Sequence, residues 1–220
     1  MSGAVTGRRV RIVIWILLAA VLGAGAIYFA VLTSAKPAPL TSTEAQLVRD
    51  DSHRVTSPPV EKAQLVEFLD FDCESCRAAE PLLAELREEY GDRITFVHRY
   101  YPLPGHRNSG TAAVAVEAAA QQGKYQEMAA KLFEMQPHWG EATASQAGLF
   151  RTYAQELGLD MALYDAALSD QAVKDRISRD VADGRALGVA GTPTFFLDGK
   201  KLTLDTEEQF RQLLDEAIQG

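Results

Sequence analysis

Two cysteines offer the clearest chemistry in the sequence, and both lie in one C-x-x-C motif, Cys73-Glu74-Ser75-Cys76. A closed zinc site takes about four ligands, and the sequence has neither a second C-x-x-C nor a nearby histidine pair at zinc-binding spacing. A structural disulfide at this spacing would close a minimal loop and constrain the unfolded chain very little. The motif therefore predicts two thiols that cycle between dithiol and disulfide.

The position of Cys73 strengthens this interpretation. It follows a strongly apolar, strand-like run at 63–71 and precedes an amphipathic run that predicts a helix. At a helix N-terminus, free backbone N–H groups and the helix dipole stabilise a thiolate and lower its pKa. Because only a thiolate attacks a disulfide, we expect Cys73 to be the exposed nucleophile. Cys76, one turn further on, is expected to close on Cys73 and release a mixed disulfide.

The elements around the pair predict a βαβ unit. The helix after Cys73 carries an apolar face and ends at Gly91, and residues 93–100 form the pattern of a second strand. A strand, a helix and a strand within about 40 residues give two parallel strands joined by a right-handed crossover.

Residues 109–188 differ in kind, because they are rich in alanine and show helical periodicity throughout. They predict a helical insertion of three or four helices. Strand patterns return at 194–197 and 201–203, on either side of Asp198-Gly199, a strong signal for a tight hairpin turn. A capping box that starts at Thr206 then predicts a last helix.

The N-terminal region predicts a membrane anchor, because residues 12–32 contain neither a charge nor a proline. As a helix, about 21 residues are roughly 32 Å long, enough to cross a hydrocarbon core of about 30 Å. Three arginines precede this run and only Lys36 follows it closely. The positive-inside rule therefore favours a cytoplasmic segment at 1–11, a transmembrane anchor at 12–33 and an extracytoplasmic remainder. A cleaved signal peptide is the alternative, although its apolar region is normally only about 7–15 residues long.

Residues 34–60 are rich in Pro, Ser and Thr and predict a linker, with 46–49 as a candidate short strand. Every Asp and Glu of the chain follows Lys36, and the formal net charge of the whole chain is −8. So acidic an exported part argues against binding to nucleic acid or to an anionic membrane surface. Solubility is sufficient to explain the charge.

Several separated segments resemble the DsbA-like branch of the thioredoxin superfamily. They are LVEFLDFDCESC around the cysteines, FVHRYYPLPGH after the second strand, the helical insertion, and GVAGTPTFFLDG near the C-terminus. The resemblance implies a thioredoxin-like α/β fold, formed by residues 61–108 and 189–220, with the helical insertion at 109–188. It also implies thiol–disulfide exchange with exported protein substrates, for which no metal or organic cofactor is needed.

The resemblance gives a role to three further residues. Pro193 corresponds to a cis-proline that faces the redox pair, and Thr192 before it would offer its backbone to an extended substrate segment. Glu67 corresponds to a buried acid beneath the pair that assists proton movement at the second cysteine, and burial should raise its pKa. The alternatives are that Pro193 merely opens a strand and that Glu67 points to solvent from an edge strand.

The residues beside Cys73 depart from the family pattern. The best-known oxidase of the family has Pro-His between its cysteines, whereas this chain has Glu74 and Ser75, with Asp72 on the other side. Two carboxylates should disfavour the Cys73 thiolate relative to a loop that contains histidine. We therefore expect a less depressed Cys73 pKa and a less oxidising couple than in that oxidase.

The four histidines indicate less. His53 and His138 are expected in loops, and His98 in a strand, as a packed or edge residue. His106 is expected in the loop before the insertion, either near the redox pair or at the start of a helix.

The function predicted from the sequence is that of a membrane-anchored, disulfide-forming oxidase. A substrate thiolate would attack Cys73 of the Cys73–Cys76 disulfide, and a second substrate thiol would displace Cys73. A membrane redox partner, quinone-linked in related systems, would reoxidise the cysteines. Three alternatives stay open: a reductase or isomerase, including one for cytochrome maturation; a copper metallochaperone, which would need a different cysteine spacing and a matched histidine; and a non-catalytic binding module.

Overall fold

The computed structural model describes residues 45–220. The predicted cytoplasmic segment, the anchor at 12–33 and the first part of the linker lie outside the described residues. Within 45–220, none of the helices combines the length and the apolar character that crossing a membrane requires.

One mixed five-stranded sheet organises the fold, with the strand order β1-β3-β2-β4-β5. The strands are β1 His53–Arg54, β2 Ala63–Leu69, β3 Ile94–Tyr100, β4 Thr194–Leu197 and β5 Lys200–Lys201. Strands β2 and β3 are parallel, and β4 is antiparallel to β2. Because β2 lies at the centre and is covered on both faces, its sequence is a nearly continuous apolar run.

Seven helices complete the described part of the chain. They are α1 Glu74–Tyr90, α2 Ser109–Ala120, α3 Tyr125–Trp139, α4 Ala147–Glu156, α5 Met161–Ser169, α6 Gln171–Ala186 and α7 Glu207–Gln219. Helices α1 and α7 bury their apolar faces on one side of the sheet, through residues such as Leu86 and Phe210. On the other side, Val66 and Phe196 of the sheet pack with residues of α6 and of the segment before β1.

The predicted βαβ unit and helical insertion are confirmed, but the insertion contains five helices, α2 to α6, rather than three or four. The extra boundaries come from single aspartates. Asp160 accepts N–H bonds at the start of α5, and Asp170 both ends α5 and caps α6. Only Asp170 separates α5 from α6, and a break of one residue leaves the apolar periodicity almost continuous, so the pattern did not reveal it.

At the C-terminus, the first strand, the hairpin turn and the helix cap are confirmed as predicted. Asp198 and Gly199 have φ values of 47° and 81°, the left-handed conformation that a two-residue hairpin needs. Strand β5 is shorter than predicted and begins at Lys200. The Thr206 hydroxyl accepts the N–H of Gln209 at 3.1 Å, as expected for the cap of α7.

The short strand predicted at 46–49 is wrong, and the strand of this region is β1 instead. The backbone of the segment is used in a different way. The Gln46 N–H donates to Asp183 at 3.1 Å, and its carbonyl accepts from Arg99 at 2.9 Å. Because these groups are bound to α6 and to a side chain of β3, they cannot pair with a strand.

A buried ionic network holds this segment in place. Arg99 is fully buried and donates to Asp180 at 2.8 Å and to Asp183 at 2.6 Å. Arg49 also binds Asp183, with Nη2 2.7 Å from Oδ1. Each charge has an opposite partner and further hydrogen bonds, which offset the cost of removing it from water. The network ties the linker end to β3 and α6.

We predict that Arg99→Met destabilises the domain by about 3–5 kcal/mol, because the change removes a cation that two buried aspartates share. Urea unfolding of the domain measures the loss. The matched control is Arg179→Met, whose exposed ion pair with Asp51 should contribute only about 0–1 kcal/mol. A loss for Arg99→Met no larger than that of the control would contradict the role assigned to the network.

Candidate redox site

The end of β2 and the start of α1 position the two cysteines. Cys73 is the N-cap of α1, with extended backbone angles φ −85° and ψ 121°, and Cys76 lies in the first turn. Cys73 is 5% exposed and Cys76 1%. The expectation of an openly exposed nucleophile is therefore wrong. Both cysteines belong to a buried apolar cluster, and most of the residues that pack around them in this cluster come from the insertion.

The two thiols differ strongly in acidity. The hydrogen bond from the Cys76 thiol is the main cause that lowers the pKa of Cys73, to about 5, and burial opposes it. The Thr192 side chain and the backbone N–H groups of Cys76 and Ser75 lower this pKa further. The predicted effect of the helix N-terminus is thus present, although the second sulfur contributes more. The same hydrogen bond, together with burial and the charge of Glu67, raises the pKa of Cys76 well above its usual value.

The carboxylates beside Cys73 do not prevent this activation. Asp72 is 3% exposed, and its oxygens accept the backbone N–H groups of Asn108 at 2.9 Å and of Glu141 at 3.3 Å. Both oxygens of Asp72 are therefore hydrogen-bonded to backbone N–H groups. Glu74 is exposed, and its own backbone N–H lowers its pKa. The expectation that Asp72 and Glu74 both oppose the Cys73 thiolate did not take these hydrogen bonds into account. That the Cys73 pKa is less depressed than in an oxidase with histidine between its cysteines stays a prediction.

The Thr192–Pro193 peptide bond is cis, as the resemblance implied. In its protonated form, the Cys73 thiol lies against this turn and donates to the Thr192 carbonyl, with Sγ 3.4 Å from the oxygen. Pro193 therefore does more than precede β4, because the turn that it forms places a backbone carbonyl next to the nucleophilic sulfur.

Glu67 is buried in the centre of the sheet, with 5% of its surface exposed. The alternative of an edge residue that points to solvent is wrong, because β2 lies between β3 and β4. Burial raises the pKa of Glu67 to about 8. Its Oε2 lies 3.5 Å from Nε2 of His98, the residue beside it on β3. His98 is thus a packed residue, one of the two possibilities left open by the sequence.

Asp70 and His106 form a part of the site that the sequence left undecided. The Asp70 carboxylate is buried and accepts from the Ser109 hydroxyl, from the N–H groups of Asp72 and Leu103, and from His106 Nδ1 at 2.7 Å. Burial opposes it, but the Asp70 carboxylate raises the pKa of His106, and the Cys73 charge adds to this effect. His106 therefore lies near the redox pair.

Gln136 of α3 is a site residue that sequence analysis missed. It is 3% exposed, and its amide donates to the carbonyls of Phe71 at 2.7 Å and of Cys73 at 3.0 Å. Its Oε1 accepts from Arg77 at 3.1 Å. The sequence contained one signal for this role, because Gln136 lies on the same helix face as the apolar Leu132. A glutamine on a buried face predicts hydrogen-bond partners for its amide. Another expectation is wrong: His53 lies in β1 and stacks on Tyr125, with 3.8 Å between ring centroids.

Comparison with known proteins places the chain in a family. The family model described as Thioredoxin (Thioredoxin_4) matches residues 60–216, and the chain belongs to this family. A thioredoxin-like oxidoreductase from Silicibacter pomeroyi is similar in structure, with TM-score 0.66 and 26% identity, over 78% of this chain and 95% of that one. Wolbachia pipientis α-DsbA1 has TM-score 0.71 and 19% identity, over 81% and 96% of the two chains. The thioredoxin-like fold with a helical insertion is thereby confirmed.

Curated relatives include Na⁺/H⁺ antiporters. One from Herminiimonas arsenicoxydans is 36% identical over 148 residues, which are 67% of this chain and 22% of the antiporter. Another, from Mycobacterium sp. strain KMS, is 33% identical over 170 residues, 75% of this chain and 26% of the antiporter. The chain thus spans about a quarter of the length of these relatives.

We predict that Cys73 of the reduced protein reacts with iodoacetamide at a rate that rises through about pH 5 and is flat at neutral pH, because the thiolate is then fully formed. Cys76 should stay unmodified, since its pKa lies well above the usual value. Mass spectrometry of peptides after timed alkylation measures both rates. Cys73→Ser should abolish the fast reaction, and a Cys73 that titrates like an ordinary thiol would refute the activation.

We predict that Glu67→Gln stabilises the reduced domain at high pH. Because burial raises the pKa of Glu67 from 4.5 to about 8, the folded state binds the extra proton between these values, and wild-type stability falls as pH rises through them. The variant lacks this loss, so its advantage should grow from pH 4.5 to about 8, by on the order of 5 kcal/mol. Urea unfolding at several pH values measures the difference. A constant difference would contradict a buried, titrating Glu67.

Proposed function

We propose that the protein is an exported thiol–disulfide oxidoreductase that exchanges disulfides with protein substrates through Cys73 and Cys76. The observation that carries the proposal is the placement of Cys73 at the N-cap of α1, against the cis Thr192–Pro193 turn, with Cys76 in the first turn of the helix. In this arrangement the pKa of Cys73 is lowered to about 5 and that of Cys76 is raised well above its usual value. At neutral pH this pair consists of one thiolate and one protected thiol. Such an arrangement suits a nucleophile and a resolving residue.

The low Cys73 pKa favours oxidation of substrates over their reduction. A stabilised Cys73 thiolate is a good leaving group, and it stabilises the dithiol form relative to the disulfide. A substrate thiolate would attack the Cys73 sulfur and release the electron pair of the S–S bond to Cys76, which takes up a proton. A second substrate thiolate would then attack the substrate sulfur of the mixed disulfide and release the Cys73 thiolate. The substrate leaves with a disulfide, and the protein is reduced.

Thr192 and Glu67 have supporting roles in this proposal. The Thr192 carbonyl lies at 3.4 Å from Cys73 Sγ, so the backbone of this turn is well placed to pair with an extended substrate segment beside the nucleophile. Glu67 carries a charge that acts on Cys76, and its raised pKa of about 8 allows it to exchange protons near neutral pH. Glu67 would therefore take or return the Cys76 proton.

The cellular setting belongs to the proposal as well. The apolar run at 12–33 would anchor the chain in the membrane with the domain outside the cytoplasm. A redox partner in the membrane, quinone-linked in related systems, would return Cys73 and Cys76 to the disulfide. Ion transport forms no part of the proposal, because the chain matches only 22% of the antiporter and carries its own cysteine pair.

We predict that Cys76→Ala accumulates mixed disulfides between Cys73 and exported proteins in cells, since the resolving thiol is absent. Non-reducing gels and mass spectrometry identify the trapped proteins. The matched control is the double variant Cys73→Ala with Cys76→Ala, which should trap nothing.

Two further results decide whether the protein oxidises or reduces its substrates, and whether it is an oxidoreductase at all. Substrates that lack their disulfides in a deletion strain indicate an oxidase, whereas substrates with wrong or excess disulfides indicate a reductase or isomerase. If Cys76→Ala traps no protein and the wild type neither oxidises nor reduces a peptide disulfide, the oxidoreductase function is wrong.

A further inference from the structure

Cys76 has to exchange a proton in a place that water hardly reaches. It is 1% exposed, and it must lose its proton when it attacks a mixed disulfide on Cys73. At that moment the bound substrate covers Cys73, which is itself only 5% exposed. A proton handed to Glu67 therefore needs a second way to solvent, because Glu67 is buried as well.

The contacts of Glu67 and His98 lead away from the cysteines. Glu67 Oε2 lies 3.5 Å from Nε2 of His98, and their side chains are 6% and 7% exposed. The other ring nitrogen of His98, Nδ1, lies 2.9 Å from the hydroxyl of Tyr125. One ring nitrogen of His98 thus contacts the acid, and the other contacts a hydroxyl on α3.

His98 and Tyr125 both line a cleft of about 630 Å³. The cleft lies among β1, β3, α1 and α3, and its described lining includes neither cysteine, nor Thr192, nor Glu67 itself. A volume of this size holds many water molecules. The cleft is therefore a solvent-filled space distinct from the face on which a substrate would bind.

Charged groups surround this path on every packed element. On α1 they are Glu80 and Arg87, on β1 His53 and Arg54, on α2 Glu117, on α3 Glu127, and on α6 Arg176 and Asp180. Arg87 pairs with Glu80, and its Nη1 is buried without a hydrogen-bond partner among residues 45–220. Burial, with the charges of Arg87 and His53, holds the pKa of His98 well below its usual value, so its imidazole is neutral at physiological pH.

We propose that His98 is a positioning residue that carries the Cys76 proton from Glu67 to the water of this cleft. The inference rests on the proposed function. As the Cys76 sulfur forms its bond with Cys73 and the substrate thiolate leaves with the electron pair of the broken S–S bond, the Cys76 proton passes to the Glu67 carboxylate. Glu67 then donates to His98 Nε2, while Nδ1 releases its proton through the Tyr125 hydroxyl to water. The reverse sequence restores the original tautomer when Cys76 next leaves a disulfide as a thiolate: Glu67 protonates Cys76, Nε2 returns its proton to Glu67, and Nδ1 takes a proton from water through the Tyr125 hydroxyl.

Reaction of the reduced protein with 5,5′-dithiobis(2-nitrobenzoate) separates the two sulfur steps. The first thionitrobenzoate is released when Cys73 attacks, and the second when Cys76 resolves the mixed disulfide. We expect His98→Gln to leave the first phase unchanged and to slow the second by about tenfold, less than the roughly 100-fold that loss of a direct general base brings. The second phase should regain rate only at higher pH, where hydroxide replaces the relay.

Glu127→Gln is the matched control, because Glu127 lines the same cleft but pairs with Lys124. Both phases should keep their wild-type rates. In the Glu67→Gln background, His98→Gln should add no further loss, since the two residues act in series. Imidazole added to His98→Ala should restore the second phase, because the cleft admits it.

The outcomes separate the two proposals. If the wild type releases no second thionitrobenzoate, the redox function fails and the relay fails with it. If the wild type shows both phases and His98→Gln keeps the wild-type second rate, the relay alone is overturned. A slow second phase that imidazole does not restore, or that adds to the loss from Glu67→Gln, indicates a packing defect and also overturns the relay.

Discussion

The first turn of α1 is the feature on which the chemistry depends, because its free N–H groups and the Cys76 thiol converge on one sulfur. That convergence requires the helix to begin at Cys73, with an extended backbone at that residue. The insertion enforces this start from outside the βαβ unit. Gln136 binds the carbonyls of Phe71 and Cys73, and Asp72 accepts the N–H groups of Asn108, just before the insertion, and of Glu141 within it. The loop that contains Cys73 is thus hydrogen-bonded to the insertion as well as being part of the βαβ unit.

Buried charged side chains near the site follow one rule, in that each has a specific partner across an element boundary. Asp70 binds four groups from the loop and from α2, and Arg99 joins the linker end to α6. Glu67 is the exception, since its nearest partner is a neutral histidine at 3.5 Å. A carboxyl group without a countercharge keeps its proton to higher pH. The one acid that is left poorly paired is also the one beneath the cysteines.

The local part of this architecture was predictable from sequence. Apolar alternation, the hairpin at Asp198-Gly199 and the cap at Thr206 depend on neighbours within a few residues, and each was found where expected. The redox pair was equally evident, because C-x-x-C is a local motif. What the sequence did not reveal is long-range pairing. The partners of Gln136 lie 63 and 65 residues away, and the segment at 46–49 is bound by residues 53 and 137 positions distant. No periodicity encodes such distances.

The hydrogen bonds that converge on Cys73 Sγ have a thermodynamic meaning for the whole domain. They act on a thiolate, and a disulfide sulfur can hold them only weakly, so the dithiol form folds with interactions that the disulfide form gives up. The reduction potential and the free energies of unfolding of the two forms are therefore linked quantities, joined in one cycle. Gln136 of α3 binds the carbonyls of Phe71 and Cys73, so the loop whose sulfur atoms are oxidised is hydrogen-bonded directly to the insertion.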